Sequence, residues 1–204
     1  MKYYIVSTKN RFFDREFAYG EQIGGLSYGP AIKCEECGSY LTMKKWLPPY
    51  NIKVSKQKVG DFILGPFMGF MVSARVKEKY ESSNLVGLSN FQPVNVYYRG
   101  KILDTGGYYH PEIMVGHAKI DIEKSEIIYQ GDESCSVCQR AGRQIIGIKG
   151  IYFDTRYPVN EDIFRTKFSS DFAASQRFKD FIDENHFTNL TLVESETYKP
   201  SWIK

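Results

Sequence analysis

The chain has 204 residues, 42% hydrophobic and 25% charged, a globular balance that excludes a low-complexity or disordered protein. Its 27 basic and 24 acidic side chains leave a formal charge of +3, too weak for the basic stripe that nucleic-acid binding usually demands. No stretch approaches the roughly 20 apolar residues that span a bilayer, and the apolar run at the N-terminus is too short for a secretory signal.

In chain order, residues 2 to 7 read as an opening strand, aromatic and β-branched. Residues 11 to 31 carry Gly20, Gly24, Gly25, Gly29 and Pro30 and predict irregular structure before the first cysteine pair. Residues 40 to 46 form a short strand candidate stopped by Pro48-Pro49, and residues 51 to 59 a second one. Residues 62 to 70 are apolar but punctuated by Gly65, Pro66 and Gly69. Val72, Val76 and Tyr80 then recur every fourth residue and predict a helix over residues 72 to 83, ended by Asn84 and Gly87. Extended structure resumes over residues 88 to 98.

The second half repeats this logic. Residues 120 to 129 and 144 to 153 are strand candidates. Ser169, Ser170 or Asp171 is placed to cap a helix running to about residue 185, with Ala174, Phe178, Phe181 and Ile182 as its apolar stripe. A β-prone run follows over residues 190 to 193. The predicted class is α+β.

Cys34-Glu35-Glu36-Cys37 and Cys135-Ser136-Val137-Cys138 hold all 4 cysteines of the chain. Other features repeat at nearly the spacing of these pairs. Tyr28 falls on Tyr129, Asp61-Phe62-Ile63 on Asp162-Ile163-Phe164, and Phe67 on Phe168. After a slip of one residue, Ser73-Ala74-Arg75-Val76-Lys77-Glu78 meets Ser175-Gln176-Arg177-Phe178-Lys179-Asp180, and Leu88 meets Leu190. An ordered series with a single slip reads as internal duplication. The expected halves are residues 1–108, with the first pair, and 109–204, with the second, packed as one globular unit.

Two thiols three positions apart on a tight knuckle can reach one metal ion together, and two such knuckles complete the tetrahedral sphere that Zn²⁺ prefers. Cys34, Cys37, Cys135 and Cys138 are therefore expected to share one structural zinc, with two ligands from each half. Four ligating thiolates and one Zn²⁺ bring the formal charge to about +1. Buried free cysteines, two separate disulfides and a thioredoxin-type dithiol are the competing readings. The last wants the motif at a helix start, whereas Gly38 and the run Gln139-Arg140-Ala141-Gly142 suggest turns.

Little else in the chain points to chemistry. His110, His117 and His186 have no ligand-like spacing and read as surface or half-buried residues. Glu35-Glu36 and Asp132-Glu133 flank the knuckles and read as solvated loops rather than acid/base pairs. No nucleophile elbow, phosphate-binding glycine loop or dinucleotide fingerprint is found. The 15 Tyr, 14 Phe and 2 Trp residues supply a core and also suit a protein interface, for example Tyr97-Tyr98, Tyr108-Tyr109, or Tyr198 with Trp202.

Several segments resemble the double-CXXCG motif proteins, a bacterial family grouped with the immunity proteins of polymorphic toxin systems. They are Cys34-Glu-Glu-Cys37-Gly38, Trp46-Leu47-Pro48-Pro49, the run from Gly69 to Arg75, Gly87-Leu88, the run from Phe91 to Val94, and the pair Cys135/Cys138. The chain departs from that pattern at Gln139, where the second motif would carry glycine. The resemblance implies a cytoplasmic, non-enzymatic antidote that binds and blocks a cognate toxin. A cytoplasmic setting would keep the thiols reduced. A zinc-ribbon nucleic-acid-binding module is the alternative, and an enzyme using zinc or a redox dithiol is a third reading.

Overall fold

The computed structural model describes residues 2–7, 16–25, 27–66, 69–130, 135–139, 144–157, 159–169 and 171–199. Of the positions singled out above, residues 11–15, 67, 132, 133, 140–142, 170 and 202 lie outside them.

Among the described residues, two main sheets carry the α+β fold. The larger runs β2 (Gly20–Gln22), β5 (Asn51–Val54), β8 (Leu88–Tyr98), β10 (Tyr108–Ile113), β7 (Phe70–Ser73), β6 (Phe62–Leu64), with β9 (Lys101–Ile102) also on β8. The smaller runs β13 (Ile163–Arg165), β14 (Phe172–Ser175), β1 (Tyr3–Val6), β15 (Leu192–Glu194). Two short ribbons complete the set: β3 (Ser27–Tyr28) with β4 (Trp46–Leu47), and β11 (Ile128–Gln130) with β12 (Gln144–Gly147).

Both helices start later than their sequence periodicity suggests. The first, α1, spans Ala74–Glu81 and is capped by Ser73, while Val72 belongs to β7 opposite Phe62. The second, α2, spans Gln176–Glu184 and is capped by Ser175; Ala174 lies in β14 rather than on the helix stripe. In each case the residues ahead of the serine are wholly buried between neighbouring strands, and sheet pairing overrides their helical spacing. Val76 and Tyr80 in α1, and Phe178, Phe181 and Ile182 in α2, do face the core. Residues 88–98 form a strand as expected. The candidates at 51–59 and 144–153 shorten to β5 and β12, while those at 40–46, 120–129 and 190–193 survive only at their ends, in β4, β11 and β15.

One arrangement occurs twice. The hairpin β6–β7 leading into α1 and the hairpin β13–β14 leading into α2 have the same register, with Phe62 opposite Val72 and Ile163 opposite Ala174. In both, the cap hydroxyl accepts the third helical N–H, Val76 or Phe178, and donates to an aspartate just ahead of the hairpin. Ser73 Oγ lies 3.0 Å from Asp61 Oδ1, and Ser175 Oγ 2.7 Å from Asp162 Oδ1. The correspondence extends to the strands beside them. In the larger sheet β10 lies between β7 and β8, Tyr108 opposite Ser73; in the smaller, β1 lies between β14 and β15, Tyr3 opposite Ser175. The boundary expected at 108/109 falls at the start of β10, but the sheets do not follow it. Each takes one strand from the other stretch of sequence.

The interlacing has an energetic reason. All four residues of β1 are buried, so both of its faces need cover, and β10 buries Tyr108 and Pro111. A single core joins the two hairpin–helix units, and in it Phe70 meets Phe172 edge-on with ring centroids 5.4 Å apart. Each fully buried Phe or Ile contributes about 1.5–3 kcal/mol relative to exposure. Polar ties then fix the two units. Arg75 bonds Asp61 within its own unit and the carbonyl of His186 beyond α2, while Arg177 bonds Asp162 and the carbonyl of Asn84 beyond α1.

Candidate metal centre

Each short ribbon carries one cysteine knuckle in the loop between its strands: Cys34/Cys37 between β3 and β4, Cys135/Cys138 between β11 and β12. In each knuckle the N–H after the second cysteine closes the turn onto the first cysteine's carbonyl. Gly38 N lies 2.9 Å from Cys34 O, and Gln139 N lies 2.8 Å from Cys135 O. The closing residue has a positive φ in both, 69° at Gly38 and 57° at Gln139. Glycine adopts that conformation freely, whereas glutamine does so at a cost. The Gln139 side chain offsets the cost by clamping Ile120, its Oε1 accepting from Ile120 N at 3.0 Å and its Nε2 donating to Ile120 O at 2.9 Å. The departure from glycine therefore preserves the turn and ties the knuckle to its neighbouring segment.

The four thiols of the two knuckles converge. Cys34 Sγ lies 3.8 Å from Cys135 Sγ, Cys37 Sγ lies 3.6 Å from Cys138 Sγ, and all four sulfurs lie within 4.8 Å of one another. A tetrahedron with Zn–S bonds of about 2.3 Å has S···S edges of about 3.8 Å, so the spacing suits one tetrahedral thiophilic ion. None of the four is in a disulfide. Leu41 and Val115 pack against the cluster, burying Cys34 and Cys138 while Cys37 faces solvent. Hydrogen bonds from the Ser39 hydroxyl and its backbone N–H, assisted by Cys138 and Cys34, outweigh desolvation and bring the Cys37 thiol down to about 6. Thiolate is the ligating form, so the cluster is primed for a cation.

The other sequence candidates stay apart from this centre. His117 is exposed, with Nδ1 2.7 Å from Oε1 of the buried Glu161, and His186 is exposed beyond α2. Glu35 and Glu36 are solvated as expected. Tyr108 and Tyr198 are core residues rather than interface ones. His110 is half-buried on β10 against Trp46 and Tyr50, with ring centroids 5.5 and 5.2 Å away, and lines a cavity of about 400 Å³. Periodicity and motif spacing carry no signal for that cavity, because it forms where β10, the base of the first knuckle and Arg165 meet.

Fold and site together define an α+β protein in which two knuckle ribbons bring four cysteines into one candidate metal centre. Residues 43–197, most of the chain, match the immunity protein family Imm11, and the chain belongs to that family. The match begins after the first knuckle, so it contains Cys135 and Cys138 but not Cys34 and Cys37. Among curated proteins, none matches the chain.

Proposed function

We propose that this chain is a non-enzymatic immunity protein that binds and neutralises a cognate bacterial toxin in the cytoplasm, with a structural Zn²⁺ held by Cys34, Cys37, Cys135 and Cys138. Membership of the Imm11 family carries the reading, since a family of immunity proteins implies a toxin partner. The double-CXXCG resemblance is its finer form, supported by the convergence of the two pairs. Four protein thiolates would fill a tetrahedral ion and leave no position for substrate, which favours a structural metal over a catalytic one. The ion would lock the two knuckle ribbons together. We further infer that the halves arose by duplication; the matching registers, serine caps and aspartate–arginine ties of the two hairpin–helix units support this.

The test is co-expression with any toxin encoded beside the gene. Growth restored by this chain, together with a stoichiometric complex in native mass spectra, is the expected result. A toxin that kills equally with and without the chain sinks the reading. The ribbon-and-knuckle geometry also favours, more weakly, a zinc-ribbon nucleic-acid module. That alternative requires salt-dependent retention on heparin or nucleic acid, and passage without retention at low salt dismisses it.

A further inference from the structure

The cavity over His110 lies apart from the four cysteines and is lined by aromatic, apolar and charged side chains. Its aromatic floor is Trp46, Tyr50 and His110, with Trp46 and Tyr50 edge-to-face at 4.9 Å. Its lip is apolar and exposed: Ile32 is 53% and Met43 48% accessible. The lip belongs to the base of the first knuckle, where Leu41 N bonds the Ile32 carbonyl at 2.8 Å and Ile32 N bonds Thr42 Oγ1 at 2.9 Å. The surface is thus fixed by the same loop that carries Cys34 and Cys37.

Three features describe what fits. His110 Nδ1 is buried with no hydrogen-bond partner among the described residues, an uncommon state for a polar atom, and the part-exposed remainder of the ring is what the cavity offers. Burial holds the imidazole neutral, at about 4, so in either tautomer one ring nitrogen donates and the other accepts. The charged lining residues are Lys44, Lys45, Arg165 and Glu112; Glu112 pairs with Lys45, and cations outnumber carboxylates in the lining. A flat aromatic body suits the floor, a hydroxyl suits an imidazole of either tautomer, and acidic surroundings suit the rim. The matching position in the smaller sheet makes the contrast. There Ile5 lies opposite Ala173 and is fully buried in a closed apolar core, whereas the larger sheet places His110 under an open cavity.

We propose that this cavity is the toxin-recognition pocket and that it receives a tyrosine side chain presented on an acidic surface of the toxin. The proposal rests on the immunity reading and names its contact site. Interface affinity commonly concentrates in one such buried aromatic anchor.

The probe is p-cresol, the tyrosine side chain without its backbone, titrated into the full chain against toluene while the His110 ring and Trp46 indole ¹⁵N signals are followed. Saturable p-cresol binding, about tenfold or more tighter than toluene, with the preference lost in His110→Phe, is expected. Equal binding of the two probes, absence of saturation, or a preference that survives His110→Phe overturns the pocket. Met43→Asp, on the exposed lip, is a second variant that leaves the core intact and should block p-cresol. In the toxin arm, Met43→Asp should weaken the complex about tenfold or more. Unchanged toxin affinity in a variant that has lost p-cresol binding overturns the toxin as occupant and points to a free aromatic ligand. If the wild-type chain binds no toxin at all, the immunity reading falls and the occupant with it, while the p-cresol selectivity remains a separate result.

Discussion

Thr188 gives one oxygen of Asp61 two hydrogen bonds, from its backbone N–H at 2.9 Å and its hydroxyl at 2.8 Å. The other carboxylate oxygen takes the Ser73 cap, and Arg75 spans both. A single carboxylate therefore fastens the start of α1 to the segment that follows α2. Asp61→Ala should destabilise the protein by about 2–4 kcal/mol, since hydrogen bonds to a charged group contribute about 1.5–3 kcal/mol and their donors would be stranded. Urea titration of both proteins measures this, and a change within error would show that the tie is idle.

The same residue predicts a pH dependence. Burial alone would raise the Asp61 carboxyl, but bonds from Arg75, Thr188 and Ser73 outweigh it and hold it below the ordinary value. A depressed folded pKa means stability present above the unfolded value and lost as pH falls through the folded one. The difference in Tm between wild type and Asp61→Asn should be full above about pH 5 and shrink as pH falls below roughly 4. A difference constant from pH 7 to pH 3 would contradict the assignment.

Joint ligation by the two knuckles predicts that breaking either one empties both. Metal analysis should find one zinc per wild-type chain, and none in Cys37→Ser or Cys138→Ser taken through a chelator wash. Chelation should lower Tm by roughly 10 °C or more, because the free energy of binding a structural metal would be folding free energy. Two ions per chain, or a variant keeping half its metal, would mean separate sites.

Gln139 separates backbone strain from side-chain clamping. Gln139→Ala keeps the positive φ and loses both bonds to Ile120, and should cost about 1–3 kcal/mol. Gln139→Gly loses the same bonds but relieves the left-handed conformation, recovering about 1 kcal/mol. Thermal unfolding should rank wild type first, then glycine, then alanine; alanine equal to glycine would show that the strain is not felt.

Gly87, beyond α1, packs closely on β13. Its φ is 133°, and an added Cβ would lie 1.8 Å from the carbonyl oxygen of Ile163. Gly87→Ala should therefore cost about 3 kcal/mol or more, or prevent accumulation of folded protein. Full stability in that variant would place this junction wrongly.

Much of the candidate site was legible because thiols at Cys-x-x-Cys spacing have few uses, and two such pairs fewer still. The correspondence of Asp61 with Asp162, and of Arg75 with Arg177, was visible as letters before it was visible as paired ties. The helix starts were not, because Val72 and Ala174 satisfy a helical period yet lie opposite a partner strand. Nor was β10, whose Pro111 argues against a strand interior; the register shifts between His110 and Glu112, which accommodates it. The cavity over His110 depends on distant segments meeting, and no local pattern reports that.

The exchanged strand β1 also sets a clock. The Tyr4 hydroxyl bonds Gln176, 172 positions further along the chain, and every strand that flanks β1 lies in that late region. At ~5–20 residues per second, the ribosome needs roughly 10 to 40 seconds to deliver those partners. Until then Tyr3-Tyr4-Ile5-Val6 waits as a bare apolar strand, open to wrong pairing with other chains. A chain built in this way has no complete smaller sheet while it is being made, so whatever it does in the cell waits on the synthesis of its last strands.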